Sequence, residues 1–182
     1  MYDRAEIYDL IESESRTEAL RRDWEQFLGD RKIRTLLDVS IGTGDMTLPL
    51  QELGIDIYGS DLSEAMLSRC NAKAVAKDRP IELKCNDFRD LSCWGDRQFD
   101  CVASTGNALA YVSNEDVLTA LERMDEHVCP GGYLCFDSRN WELIQKTKQR
   151  FYVYNPFFHD RTKTPDGTLV LSKPINVVDM IK

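Results

Sequence analysis

Short apolar runs alternate with longer amphipathic stretches along most of the chain, the pattern of strands alternating with helices. Leu20, Trp24, Phe27 and Leu28 recur at helical spacing behind Ser15-Arg16-Thr17-Glu18, whose order predicts a helix capped at Ser15 and stopped at Gly29. The run Arg34-Thr35-Leu36-Leu37-Asp38-Val39 predicts a buried strand ending in the turn Ser40-Ile41-Gly42-Thr43-Gly44. A helix over about 45–53 is expected next, with Pro49 tolerated in its first turn. A second strand is predicted over 55–60, followed by Asp61 and a helix capped by Ser63, with Met66, Leu67, Cys70 and Ala74 on one face. Third and fourth strands are expected over 81–85, ending at Asn86-Asp87-Phe88, and over 99–104, leading into Thr105-Gly106-Asn107. Ser113 caps a further predicted helix with the stripe Val117, Leu118, Leu121, Met124 and Val128, and Pro130-Gly131-Gly132 ends it and opens a fifth strand over 133–137. Beyond that the pattern predicts a short helix over 141–148 and strands over 150–154 and 168–172, joined around Thr164-Pro165-Asp166-Gly167. Such alternation specifies an α/β fold with a mostly parallel sheet.

Composition narrows the partners. The chain has 182 residues, 42% hydrophobic and 30% charged, a folded rather than disordered balance and enough for one domain. No apolar run approaches the ~20 residues of a membrane-spanning helix, and the first residues have neither the basic start nor the apolar stretch of a secretory signal. With 31 acidic and 23 basic residues the net charge is -8, which argues against nucleic acid and a membrane surface as partners. The six cysteines include no Cys-x-x-Cys pair, and the chain has two histidines, so metal-ligand spacing is absent and no metal site is expected. Cys101 and Cys135 fall in strand-like runs as small hydrophobes, and a reduced, cytoplasmic setting is expected.

In an open parallel sheet, ligands bind beyond the carboxyl ends of the strands. Here polar and glycine residues collect at those ends, over 38–44, at Asp61, at Asp87-Phe88, over 105–107 and over 137–140. Singly, each has a plain explanation as a turn, a cap or core. Jointly they describe a nucleoside held across the first three strand ends. Gly42 and Gly44 let backbone approach the ligand, Asp61 accepts hydrogen bonds from both ribose hydroxyls, Asp87 accepts from an adenine amino group, and Phe88 covers the ring. Asp38 holds the turn or, through water, the ammonium of an amino-acid moiety. A dinucleotide site needs a third glycine where this chain has Thr47, so the pattern favours S-adenosylmethionine over a nicotinamide cofactor. Two alternatives stay open: an NAD-dependent oxidoreductase, and a domain that binds cofactor without turning over.

The segments Leu37-Asp38-Val39-Ser40-Ile41-Gly42-Thr43-Gly44, Gly59-Ser60-Asp61-Leu62-Ser63-Glu64-Ala65-Met66-Leu67 and Pro130-Gly131-Gly132 resemble the hallmarks of class I S-adenosylmethionine-dependent methyltransferases. Gly106-Asn107-Ala108-Leu109-Ala110-Tyr111 and Asp137-Ser138-Arg139-Asn140-Trp141 are similar to the glycine and sarcosine N-methyltransferase branch. The resemblance implies a Rossmann-like fold with helices on both faces of the sheet. It also implies methyl transfer to a small amine or amino acid. On this basis Ser40, Gly42 and Gly44 contact the methionine part of the cofactor, Asp61 the ribose, and Asp87 and Phe88 the adenine, with Leu62 and Thr105 in the same set. Arg16 pairs with the cofactor carboxylate, and Tyr8 lines the cofactor from the N-terminal segment. Asn107 and Arg139 hold the acceptor, Arg139 by its fork on a carboxylate. Tyr111 stands where the branch often has histidine. The implied organisation is a single methyltransferase domain: a helical cap (1–30), a cofactor-binding core (31–148) and a tail (149–182). Because the family continues with a further hairpin and strands, two expectations stay open for the C-terminal part: that it is incomplete, or that the tail has diverged.

Overall fold

A computed structural model describes residues 14–147 in full and the backbone of four further strands at 151–157, 162–163, 169–170 and 175–180. Cα packing divides the chain into two compact units, Met1–Arg139 and Asn140–Lys182.

The first unit holds helix α1 (Glu14–Leu28), strand β1 (Thr35–Asp38), a 3₁₀ helix (Leu48–Leu53), β2 (Asp56–Asp61) and α2 (Glu64–Ala76). It continues with β3 (Glu82–Cys85), β4 (Phe99–Ser104), α3 (Asn114–Glu126) and β5 (Val128–Phe136). The strands form one sheet in the order β3-β2-β1-β4-β5, and every pairing in it is parallel. Parallel strands are covered on both faces, so their residues read as continuous apolar runs. Leu36 and Leu37 of β1 are both fully buried, on opposite faces. Leu36 joins Ile57, Cys101 and Ala103 in a core closed by Leu28 of α1, Leu48 and Leu50 of the 3₁₀ helix, and Leu67, Cys70 and Ala74 of α2. Leu37 joins Val39, Phe99 and Val102 in a second core closed by Trp94 and by Ala120 and Met124 of α3. Each such leucine contributes roughly 1.5–3 kcal/mol by burial. Helices therefore cover both faces of a Rossmann-like sheet.

Two expected caps are in place. The Ser63 hydroxyl accepts the Met66 N–H at 3.4 Å, and the Ser113 hydroxyl accepts the Asp116 N–H at 3.1 Å. The expected Ser15 cap is not. α1 already includes Glu14, so Ser15 lies inside the helix, where serine costs only a few tenths of a kcal/mol and a good helix former before it extends the helix. The helix expected over 45–53 is instead a series of turns followed by the 3₁₀ helix from Leu48. Pro49 lacks an N–H, and its ring excludes the carbonyl four residues back, so no α-helix runs through it from Asp45. The fifth strand begins at Val128, five residues earlier than expected, and absorbs Pro130-Gly131-Gly132 as an irregularity, with a register shift between Phe99 and Cys101 on β4. β5 pairs with β4 alone among the described strands, and proline is tolerated on such an edge.

In the second unit, helix α4 spans Trp141–Thr147, β6 (Phe151–Phe157) pairs antiparallel with β9 (Ile175–Met180), and β7 (Thr162–Lys163) pairs with β8 (Leu169–Val170). The strand at β9 was not expected from the pattern, and the one expected over 168–172 is shorter.

Gly44 carries a packing constraint on the whole first unit. Its φ is +85°, and a Cβ built there would lie 2.5 Å from Leu48 Cδ1 and 2.8 Å from Cys70 Sγ, both in the core. Gly44→Ala combines left-handed strain with overpacking and is expected to lower the unfolding free energy by about 2 kcal/mol or more, read as a shifted urea midpoint at unchanged slope.

Candidate functional site

The strand ends are organised by Asp38, the last residue of β1, which is fully buried. Its Oδ2 accepts the hydroxyls of Thr105 at 2.7 Å and Thr47 at 3.1 Å, and its Oδ1 accepts the Ser40 N–H at 3.1 Å. The Ser40 hydroxyl in turn lies 3.1 Å from the Ser104 hydroxyl and donates to the Thr105 carbonyl at 3.0 Å. One carboxylate thus joins the glycine turn, the start of the 3₁₀ helix and the loop after β4. Burial pushes its pKa up to about 6, against the hydrogen bonds from Thr105, Ser40 and Thr47 that oppose the shift.

Asp61 ends β2 in a different setting. Gly42 N–H donates to its Oδ2 at 3.0 Å and Ser63 N–H to its Oδ1 at 2.9 Å. Burial raises its pKa, and the backbone donors of Ser63, Gly42 and Leu62 oppose the rise. Each carboxylate oxygen has acceptor capacity for about two hydrogen bonds, so both keep room for a ligand hydroxyl.

A cavity of about 200 Å³ opens above these groups. Six of the residues singled out in the sequence line it: Arg16, Ser40, Gly42, Asp61, Thr105 and Tyr111. Gly42 has φ +56°, and a Cβ built there meets nothing within 4 Å, so the backbone itself faces the open space. Arg16 reaches the cavity because α1 is pinned to the turn region: Trp24 Nε1 donates to the Met46 carbonyl at 2.8 Å, and Arg21 pairs with Glu52 at 2.8 Å. Arg16 and Asp45 also border an adjoining cavity of about 370 Å³, whose lining includes Gly44. Tyr111 is 65% exposed at the rim.

The other expected site residues lie elsewhere. Asp38 sits beneath the cavity as its support. Leu62 is 64% exposed. Phe88 packs in the core with Leu91 and Trp94. Asp87 is held by Arg89, whose Nη2 lies 2.6 Å from its Oδ2; the Arg89 hydrogen bonds keep its carboxyl below the usual range. Arg89 reaches on to Asp116 at 3.3 Å. Neither Asp87 nor Phe88 is among the cavity's walls. Asn107 and Arg139 are not among its walls either; they are joined by a hydrogen bond from Arg139 N–H to Asn107 Oδ1 at 3.1 Å. Tyr8 lies outside the described residues. The sequence reading missed Asp45, Met46 and Met66 on the cavity wall. Asp45 accepts Lys73 Nζ at 2.6 Å and the Thr43 hydroxyl at 2.9 Å; its place directly after Gly44 was the available signal. Among the described residues no cluster of His, Cys, Asp and Glu has metal-holding geometry, no helix is long and apolar enough to cross a membrane, and all six cysteines are free thiols.

Asp38 makes stability pH-dependent. Its folded pKa exceeds its unfolded value of 3.8, so its contribution to stability is complete below pH 3.8 and is lost as pH rises through about 6. Relative to Asp38→Asn, which does not titrate, the wild-type chain is expected to lose about 2 kcal/mol of unfolding free energy between pH 4 and pH 7.5. Urea unfolding of both proteins at the two pH values checks this.

Comparison with known proteins agrees with this fold. Residues 36–132 match a family profile described as a methyltransferase domain. The chain is 28% identical over 149 residues to a glycine/sarcosine N-methyltransferase of Aphanothece halophytica, covering 79% of this chain and 56% of that protein. Among solved structures, it overlays an S-adenosylmethionine-dependent methyltransferase of Clostridium acetobutylicum with a TM-score of 0.66 at 21% identity, covering 86% of this chain and 64% of the other, a likeness of fold. It also overlays the sugar N-methyltransferase KedS8 of a Streptoalloteichus species with a TM-score of 0.55 at 28% identity, covering 69% and 48% of the two chains. The chain spans about half the length of the curated relatives it matches. By the match over its sheet-forming core, the chain belongs to the methyltransferase domain family.

Proposed function

We propose that the chain binds S-adenosylmethionine in the cavity above β1 and β2 and transfers its methyl group to the amine of a small acceptor, with glycine, sarcosine or a related amino acid as the substrate class. The observation that carries the cofactor reading is Asp61: a partly buried carboxylate on the cavity wall, whose oxygens accept backbone N–H groups and keep acceptor capacity for ligand hydroxyls. Two vicinal ribose hydroxyls match that capacity. Gly42, open above its Cα, gives a ligand close approach, and Arg16 brings a cation to the same cavity for a carboxylate.

The nicotinamide alternative loses its physical basis. A pyrophosphate needs the N-terminus of an α-helix after the glycine turn, and this chain has turns and a six-residue 3₁₀ helix there. Thr47, in the third glycine position, is fully buried and donates to Asp38.

When bound, S-adenosylmethionine supplies a methyl group on a positively charged sulfur, which departs as a neutral thioether. The chain's task is then alignment and exclusion of water, worth up to ~7–11 kcal/mol of barrier. Arg139 fixes an acceptor carboxylate, Tyr111 presents its ring at the rim, and the acceptor amine attacks in its neutral form after passing its proton to solvent. An amino sugar is the second acceptor class, supported by the similarity to KedS8. Arg139 separates the two, because only an amino acid offers a carboxylate.

Calorimetric titration with S-adenosylmethionine is expected to show saturable binding that Asp61→Ala weakens by about 1.5–3 kcal/mol, the scale of hydrogen bonds to a charged group. Equal affinity of the two proteins returns Asp61 to a capping role. Arg139→Leu is expected to raise KM for glycine or sarcosine at least about tenfold, the scale of one lost charge-assisted hydrogen bond, while leaving cofactor affinity intact. An unchanged KM for a carboxylated amine removes the amino-acid reading.

A further inference from the structure

The loops after β4 and β5 are tied to each other at two points. Asp137 Oδ1 accepts the Asn107 N–H at 2.8 Å, and Asn107 Oδ1 accepts the Arg139 N–H at 3.1 Å. Asp137 N–H also donates to the Ser104 carbonyl at 3.2 Å, which carries the β4–β5 pairing one residue past the sheet. Asn107 has φ 60° and ψ 30°, a left-handed conformation that a non-glycine residue adopts only at a cost. It is also the residue before the 3₁₀ turn Ala108–Tyr111, and the Ala110 N–H returns to its carbonyl at 3.2 Å. Ala108 and Tyr111, at the two ends of that turn, both line the cavity.

Asn107 is therefore a hinge-point held from both sides. Its N–H is fixed by Asp137, its carboxamide oxygen is committed to the Arg139 backbone, and its backbone conformation sets the direction of the turn that carries Tyr111. Asparagine suits the position because it tolerates the left-handed region and still offers a side-chain acceptor. The sequence reading assigned Asn107 to the acceptor directly; its oxygen already accepts one hydrogen bond, from the Arg139 N–H.

We infer that Asp137 and Asn107 are positioning residues that lock the post-β4 and post-β5 loops into one body, so that Tyr111 and Arg139 meet the acceptor in fixed register. The loop-locking half stands on the hydrogen bonds alone. The acceptor half rests on the amine-methyltransferase reading above, and the experiment keeps the two apart.

Hydrogen exchange of the wild-type chain, Asp137→Ala, Asp137→Asn and Asn107→Gly is measured first, with no ligand added. Asp137→Ala is expected to speed exchange about tenfold in the 106–111 segment and at 138–139 together, while the β1–β3 amides keep wild-type rates. Asp137→Asn retains an oxygen that can accept the Asn107 N–H and is expected to restore protection. Asn107→Gly adopts the left-handed conformation freely and keeps the Asp137 bond, so only 138–139 should loosen. Protection unchanged in Asp137→Ala, or lost in one loop alone, overturns the lock; if Asp137→Ala does not fold, Asn107→Gly against wild type decides the same question. Methylation of glycine and sarcosine is then assayed. Asp137→Ala is expected to lower kcat/KM about tenfold or more through misplacement, with the S-adenosylmethionine Kd within about twofold of wild type and with rescue in Asp137→Asn. A wild-type chain that methylates neither amine contradicts the acceptor half and leaves the exchange result standing. An equal fall in cofactor affinity, or no rescue by asparagine, overturns positioning of the acceptor.

Discussion

A buried carboxylate at the end of the central strand is the constraint on which the strand-end geometry depends. Asp38 is fully enclosed and bonded to residues that lie 2, 9 and 67 positions away in sequence. Removing a carboxylate from water is costly, and its pKa rises to about 6 even though the hydrogen bonds from Thr105, Ser40 and Thr47 offset part of that cost. In return, three segments with no mutual periodicity acquire one common anchor. The glycine turn cannot swing away from β1, the 3₁₀ helix must begin at Leu48, and the loop after β4 is held level with the turn. The cavity is the space that this arrangement leaves open.

Around that anchor each neighbouring strand end adds one kind of group. β2 adds Asp61, whose backbone partners point its oxygens while leaving them receptive. β4 adds a loop that continues into the Tyr111 turn, and β5 adds Asp137 and Arg139. α1 covers the far side of the glycine turn through Trp24 and carries Arg16. Order along the sheet is thereby converted into an order of groups, from the Asp61 carboxylate through the glycine turn to the loops after β4 and β5.

The sheet was legible in the sequence because strands buried on both faces leave unbroken apolar runs, as in Leu36-Leu37 and Cys101-Val102-Ala103. Caps at Ser63 and Ser113 were legible because they are local. What was not legible fell into two classes. One was competition between local signals: Pro49 converted an amphipathic helix into a 3₁₀ helix, and the Pro-Gly-Gly segment read as a stop although an edge strand absorbs it. The other was long-range side-chain bonding. Nothing in the neighbourhood of Thr47 or Thr105 announces that both hydroxyls serve Asp38, and nothing near Asn107 announces Asp137 thirty residues on. Asp87 is the instructive middle case. The Asp-x-Arg order of Asp87 and Arg89 was visible, and it makes a local ion pair at the position read as an adenine contact.

Family membership and fold identify a methyltransferase domain, and the seat proposed for its S-adenosylmethionine lies over β1 and β2. A hydrogen-exchange footprint of the wild-type chain with and without saturating S-adenosylmethionine reads the place and the identity of the ligand at once. Added protection is expected over 40–46, at 61–63 and over 105–111, with the 81–95 segment changed less. Protection confined to other segments, or none at a concentration that saturates related methyltransferases, contradicts that seat.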